Sequence, residues 1–223
     1  MISAFIKKIK NLGQRGFTLI ELLVTISIFV IITGFVLFNQ SAFNSSILLS
    51  NLAYDLALTI RQAQSFGVSG KYINVSTVGI KPIFGVHFEA GAVNGRYLVL
   101  FSDIDNSRTL GPRGGSYNGV ISSGTFCPNE PECLEKAAIK RGNIISGFCQ
   151  ANDDDTCVSN SDYATNTFLD ISFKRPDPDA TIVLNRGTLN PIDRVRIELT
   201  STQDPTKGRA VIVNKLGQIY VVK

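Results

Sequence analysis

The stretch RGFTLIELLVTISIFVIITGFVLF, residues 15 to 38, decides how the rest of the chain is read. From Phe17 to Phe38 it is apolar almost throughout and holds a single carboxylate, Glu21, near its start. As a helix this run would reach about 33 Å at 1.5 Å per residue, enough to cross a bilayer. A charge at such depth is costly, so an acid kept there is a functional candidate by default.

The charges around this stretch set its orientation. Lys7, Lys8, Lys10 and Arg15 are the only charged residues before Phe17. A positive flank stays cytoplasmic, which sends the C-terminal bulk of the chain to the other side of the membrane. The apolar run follows Arg15-Gly16 with no A-x-A-like site after it, unlike a cleaved secretory signal. The whole chain carries 22 basic and 18 acidic residues, a formal +4. Without residues 1–16 the balance is 22 − 4 = 18 against 18, or zero, and bulk charge gives no argument for nucleic acid.

Beyond Phe38 the pattern changes. Leu49, Leu52, Leu56, Ile60 and Ala63 recur three or four apart, with Asn51, Asp55, Arg61, Gln62 and Gln64 between them. This spacing predicts an amphipathic helix. No Pro interrupts residues 17–66, and Gly67 with Gly70 supplies a stop. One helix of roughly 50 residues is expected, about 75 Å long. Its first half is apolar all round; its second half presents one apolar stripe to a globular domain.

From Lys71 onward the signals are those of strands. YINVSTV, IFGVHFE, RYLVLFSD, NTFLDISFK, ATIVLN, DRVRIELTS, RAVIVN and QIYVV are short, rich in β-branched or aromatic residues, and bounded by Gly, Pro, Asn or Asp. Leu169, Ile171 and Phe173 share one face, as do Val195, Ile197 and Leu199, with Arg194, Arg196 and Glu198 opposite. The last two runs read as a hairpin with Gly217 in its turn. Residues 103–165, rich in Gly, Ser, Asn and Asp, read as an elaborated loop region. The expected class is α+β, a long helix packed on one antiparallel sheet. With 223 residues and 44% hydrophobic content the chain can bury a sizeable core.

All four cysteines, Cys127, Cys133, Cys149 and Cys157, fall in that loop region. An even, clustered set in an exported domain reads as two disulfides, and the spacings do not match the CxxC pairs of structural zinc. Three connectivities are open; the sequence-local one, Cys127–Cys133 with Cys149–Cys157, is favoured.

Gly16-Phe17-Thr18-Leu19-Ile20-Glu21, between a short basic leader and an apolar helix, resembles the N-terminus of type IV prepilins and of type II secretion pseudopilins. The resemblance covers residues 15 to about 40 and implies a division into a leader (1–16), a membrane or filament-core helix (17–40), an amphipathic helix (41–67) and a β domain (68–223). It implies that a prepilin peptidase cuts between Gly16 and Phe17 and that the new Phe17 amine is methylated. It also implies that Glu21 pairs with the Phe17 amine of a neighbouring subunit in a filament. Partners would be other pilin or pseudopilin subunits and the inner-membrane assembly platform.

LAYDLALTIRQAQSFG, LVLFSDIDNSRT and RAVIVNKLGQIYVV resemble, in part, the GspH/FimT-like minor pseudopilins. Phe38 stands where major pilins often have a kinking Pro, and the Cys pairs lie mid-chain, which favours a minor subunit. Some FimT-like subunits are thought to bind DNA, and Arg186, Arg194, Arg196, Lys207 and Arg209 would be the phosphate contacts. The interspersed Asp193, Glu198 and Asp204 favour a charge-mixed sheet face instead.

The remaining chemistry is sparse. His87, the only histidine, is expected on the polar face of a strand. Asp103-Ile104-Asp105-Asn106-Ser107 begins like a calcium loop but lacks the Gly and the closing Glu, and reads as an acidic turn. Asp153-Asp154-Asp155 reads as a solvated loop, and Asp177 and Asp179 as part of a Pro-punctuated turn. There is no G-x-S-x-G, H-E-x-x-H or P-loop. The reading assigns no catalytic residue, no cofactor and no metal.

Overall fold

A computed structural model describes residues 16–70, 82–91, 94–104, 132–158, 168–184, 192–202 and 204–222, with the side chains of 38–44 outside the description. The strand expected at 72–78, Cys127, Arg186 and Asp105–Ser107 lie outside the described residues.

The helix α1 runs over 51 residues, Leu19–Ser69. Thr18 caps its start: the Thr18 Oγ1 accepts the Glu21 backbone N–H at 3.3 Å, satisfying one of the donors that a helix leaves open in its first turn. The stop comes later than the Gly67 expected from sequence. Gly70, at φ +64°, takes the left-handed conformation and its N–H bonds the Phe66 carbonyl at 3.0 Å, an αL cap. Gly67 stays inside the helix, buried.

The chain forms two units, one ending at Asn44 and the other spanning Ser45–Lys223. In the first, Leu19–Leu37 is long and apolar enough to cross a membrane, and none of it is buried among the described residues. Its three hydroxyl side chains need no outside partner. Thr25 donates to the Leu22 carbonyl, Ser27 to Leu23 and Thr33 to Phe29, at 2.8–2.9 Å. Polar groups in hydrocarbon must be satisfied internally, and these are.

The second unit joins the end of α1 to an α+β domain. Its strands are β1 (Ile83–Glu89), β2 (Tyr97–Asp103), β3 (Cys133–Ala138), β4 (Asn143–Gln150), β5 (Phe168–Phe173), β6 (Ala180–Leu184), β7 (Arg194–Ser201), β8 (Gly208–Asn214) and β9 (Ile219–Val222). Every described pairing among them is antiparallel. Two findings correct the sequence reading. The strands form two sheets rather than one, in the orders β3-β2-β1-β5-β6 and β4-β7-β8-β9. The loop region 103–165 also contains two strands, β3 and β4, which add to the edges of those sheets.

Alternation explains how both sheets share one core. Val86, Phe88, Leu98, Leu100, Leu169, Ile171 and Phe173 come from the first sheet; Ile145, Phe148, Val195, Ile197, Leu199, Val211 and Val213 come from the second. Leu49, Ala53, Leu56, Ile60 and Ala63 of α1 join the same cluster. A fully buried Leu or Ile side chain contributes roughly 1.5–3 kcal/mol, so this stripe fixes the helix to the domain. Polar ties add direction: Arg61 Nη2 donates to the Ile219 carbonyl, and Gln64 Nε2 to those of Pro178 and Gly217, each at 3.0 Å. The β8–β9 hairpin turns through Gly217 at φ +74°.

Candidate functional site

The helix start is the first candidate. Thr18, Leu19, Ile20 and Glu21 place the acid at the third helical position, with Thr18 as N-cap; this T-x-x-E spacing is that of a capping box. An acid there also suits the positive end of the helix dipole. Phe17 is exposed, and so is Glu21. Phe17 to Glu21 therefore start the helix and leave Phe17 and the acid accessible to another molecule.

His87 is the second candidate, and the structure corrects its expected exposure. It projects from the β1 face opposite the shared core, yet it is 4% exposed. His87 and Asp170 are direct cross-strand partners in β1 and β5. The His87 Nδ1 lies 2.5 Å from Asp170 Oδ1, and its Nε2 lies 3.7 Å from a Glu89 carboxylate oxygen. Burial alone would lower the His87 pKa, but the Asp170 charge and hydrogen bond, helped by Glu89, raise it to about 9. His87 is thus a buried imidazolium held between carboxylates, stacked on Phe168 at 5.9 Å. Both ring nitrogens face acids, which is the geometry of a structural ion pair rather than of a base awaiting a proton.

The sequence did not single out Asp170. A lone Asp in the alternating run LDISF, followed two residues on by Ser172, was the available signal of a polar buried face. Val99 and Phe101, both buried, form a small apolar cluster away from the shared core.

The third candidate is the loop between Cys149 and Cys157, which are joined by a disulfide with Cα atoms 5.6 Å apart. Cys133 is also disulfide-bonded. Three side chains from the second sheet grip the loop. Arg194 Nη1 donates to the carbonyls of Asn152 and Asp153 at 2.9 and 3.0 Å, and Arg196 Nη1 to that of Asp155 at 2.8 Å. Tyr220 donates its hydroxyl to Asp155 Oδ1 at 2.6 Å, and burial together with that carboxylate raises the Tyr220 pKa. Asp155 sits at φ +65°, a conformation Asp tolerates better than most residues. Asp154 accepts from the Thr156 hydroxyl and backbone, which lowers its pKa. Among the described residues, no group of three or more His, Cys, Asp or Glu side chains could hold a metal.

This grip accounts for two of the basic residues of the last third, and other contacts within the domain engage two more. Arg194 and Arg196 are turned onto the loop, and Arg196 additionally pairs with Glu198. Lys207 pairs with Asp204 at 3.3 Å, and Arg209 Nε donates to Ser50 Oγ of α1 at 3.2 Å. These four are engaged within the domain, so their arrangement lends no support to DNA binding.

No curated protein matches the chain by sequence. Among solved structures, the chain bears a loose likeness to the minor pseudopilin EpsH from the Type 2 Secretion System of Vibrio cholerae, at a TM-score of 0.38 and 8% identity, covering 78% of this chain and 95% of that one. The family model for the prokaryotic N-terminal methylation motif matches residues 11–37. That match covers 27 of the 223 residues and shows the motif itself at the start of α1.

Proposed function

We infer that the chain is a structural subunit of a type IV pilus or a type II secretion pseudopilus, of the minor kind. A prepilin peptidase cuts it between Gly16 and Phe17 and the new Phe17 amine is methylated. The Leu19–Leu37 half of α1 first anchors the chain in the cytoplasmic membrane with the β domain outside, and then packs in the filament. Glu21 pairs with the liberated Phe17 amine of a neighbouring subunit. The observation that carries this reading is the methylation motif at residues 11–37, which contains the apolar stretch Leu19–Leu37, long enough to cross a membrane and not buried among the described residues.

Apolar helices slide past one another at little cost, whereas leaving a buried charge without its partner costs roughly 3–5 kcal/mol. A single acid at a fixed distance from a new cationic terminus therefore selects one arrangement among many. The capped start assists by fixing where Glu21 stands relative to Phe17. Mass spectrometry of the protein extracted from membranes tests the reading. The expected first residue is a methylated Phe17; a chain that still begins at Met1 overturns it.

A further inference from the structure

The turns at one end of the β domain are basic, and three contacts place that end beside Ser45. Lys207, in the turn between β7 and β8, brings its Nζ to 3.5 Å from Ser45 Oγ. In the same turn the Thr202 N–H and hydroxyl both donate to the Gly142 carbonyl, at 2.7 and 2.8 Å, which sets the β3–β4 turn next to it. The Ile139 N–H donates to the Arg96 carbonyl at 2.7 Å, just before β2. Arg96, Lys140 and Arg141 are all exposed on these turns. Of the described acids at this end, Asp204 pairs with Lys207 at 3.3 Å and Glu89 faces His87 at 3.7 Å. The opposite end, where β7 begins, sets Asp153, Asp155 and Asp193 against Arg194 and Lys215. Arg141 adds a second sign. It stands at φ +65°, followed by Gly142 at +74°. A turn with two left-handed residues favours Asn, Asp or Gly at its first place, so a cation held there runs against local preference, and such exceptions point to function.

We propose that Arg96, Lys140 and Arg141 form a surface that binds anionic lipid headgroups at the membrane in which the chain is anchored. The inference rests on the part of the reading above that sets Leu19–Leu37 in a bilayer. Ser45 opens the second unit eight residues after Leu37, so chain length alone holds it within about 28 Å of the end of the apolar stretch. The headgroup layer takes up about 5–8 Å of that distance, and Lys and Arg carry their charge at the end of long stems. Basic turns that meet a plane of phosphates need no pocket. Each cation near an anionic surface strengthens attachment about fivefold, and the effect fades within a Debye length. The two Arg forks can each take two phosphate oxygens, whereas Lys140 acts as a point charge, so the arginines give the contact its direction. Attachment at one end orients the domain on the membrane before the subunit is assembled.

Thermal unfolding of the full chain in neutral detergent micelles tests this, with phosphatidylglycerol or phosphatidylcholine added to the micelles. A ligand of the folded state raises the midpoint by mass action. Phosphatidylglycerol is expected to raise it and phosphatidylcholine to leave it unchanged, and the rise should shrink between about 50 and 500 mM salt. Lys140→Gln with Arg141→Asn should lose most of the rise, while the charge-matched pair Lys174→Gln with Lys215→Gln, at exposed positions of the other end, keeps it. Asn suits a left-handed turn position, so the first pair should unfold no earlier than wild type without lipid. Arg96→Gln, outside that turn, should lose part of the rise as well. An equal rise with phosphatidylcholine, or with inorganic phosphate at the same concentration, overturns the proposal, and so does a rise that survives all three changes. A salt-sensitive dimer in lipid-free micelles that Lys140→Gln with Arg141→Asn dissolves would assign the surface to a second copy instead. The membrane fraction is checked on the same preparation. A chain absent from it removes the anchoring reading together with this inference; an anchored chain without the lipid-specific rise removes this inference alone.

Discussion

Gly67 lies so near Phe173 that a Cβ placed on it would meet the Phe173 carbonyl oxygen at 2.7 Å and its Cβ at 2.8 Å. The helix and the first sheet touch through backbone at this point. Exchanging Gly for Ala inside a helix ordinarily stabilises by about 1 kcal/mol. Here the sign is expected to reverse, because the new methyl has to push apart two rigid elements, and overpacking costs roughly 1–3 kcal/mol. Thermal unfolding of Gly67→Ala followed by circular dichroism should show a lowered midpoint. A raised midpoint would mean that the helix end can move away from β5.

The His87–Asp170 pair sets an alkaline limit on stability. His87 has its pKa raised from 6.5 to about 9, so it holds its proton more firmly in the folded protein than in the unfolded one. Its contribution is complete below about pH 6.5 and is lost as pH rises through about 9. The midpoint of unfolding should fall over that window, and His87→Gln should flatten the profile there. Removing the partner instead, with Asp170→Asn, leaves the imidazole buried beside a neutral amide and is expected to cost about 3–5 kcal/mol. A pH profile identical in wild type and His87→Gln would show that the imidazole is not charged in the fold.

The Cys149–Cys157 disulfide closes a short loop that Arg194, Arg196 and Tyr220 already hold. Chain-entropy arguments put the loss on removing such a bridge at about 2.6 kcal/mol. The paired change Cys149→Ala with Cys157→Ala should therefore lower the midpoint without releasing the loop. The Tyr220 hydroxyl offers a readout: its raised pKa should persist in that variant and fall in Asp155→Ala. If breaking the disulfide alone normalises Tyr220, the three side chains follow the covalent bond rather than hold the loop.

What the sequence revealed followed from local regularity. The apolar run stands out by its length, and the stripe from Leu49 to Ala63 and the alternating strands β5 and β7 each repeat with a period that one segment displays by itself. β3 did not: CLEKAA is an edge strand, half-buried along most of its length, so no alternation marks it. β4 carries an irregularity between Ile145 and Gly147 that breaks its period, and its flanks are rich in Gly, Asn and Asp. The division into two sheets depends on which strand meets which across long separations, and no segment encodes that alone. His87 misled for a related reason. A polar residue on the second face of a strand normally faces water, but here that face is buried too, and the compensating charge, Asp170, comes from 83 residues away.

The acid of the GFTLIE segment has one use that the structure shows, at the helix start, and a second that the proposed assembly would add, and experiment can separate them. As a first-turn acid Glu21 favours the helix start by about 0.3–1 kcal/mol, and Thr18 supplies the cap whether or not the acid is present. As a partner for a neighbouring Phe17 amine it matters only once subunits meet. Glu21→Ala removes both uses; Glu21→Gln keeps the side-chain length and a hydrogen-bonding oxygen but removes the charge. If the charge acts between subunits, both variants should be cut and methylated like wild type and both should be largely lost from purified filaments. Thr18→Ala, which weakens the cap while leaving the acid, should retain most incorporation. Full recovery of Glu21→Gln in filaments would show that polarity at the helix start is enough, and that no ion pair between copies is needed to set the register.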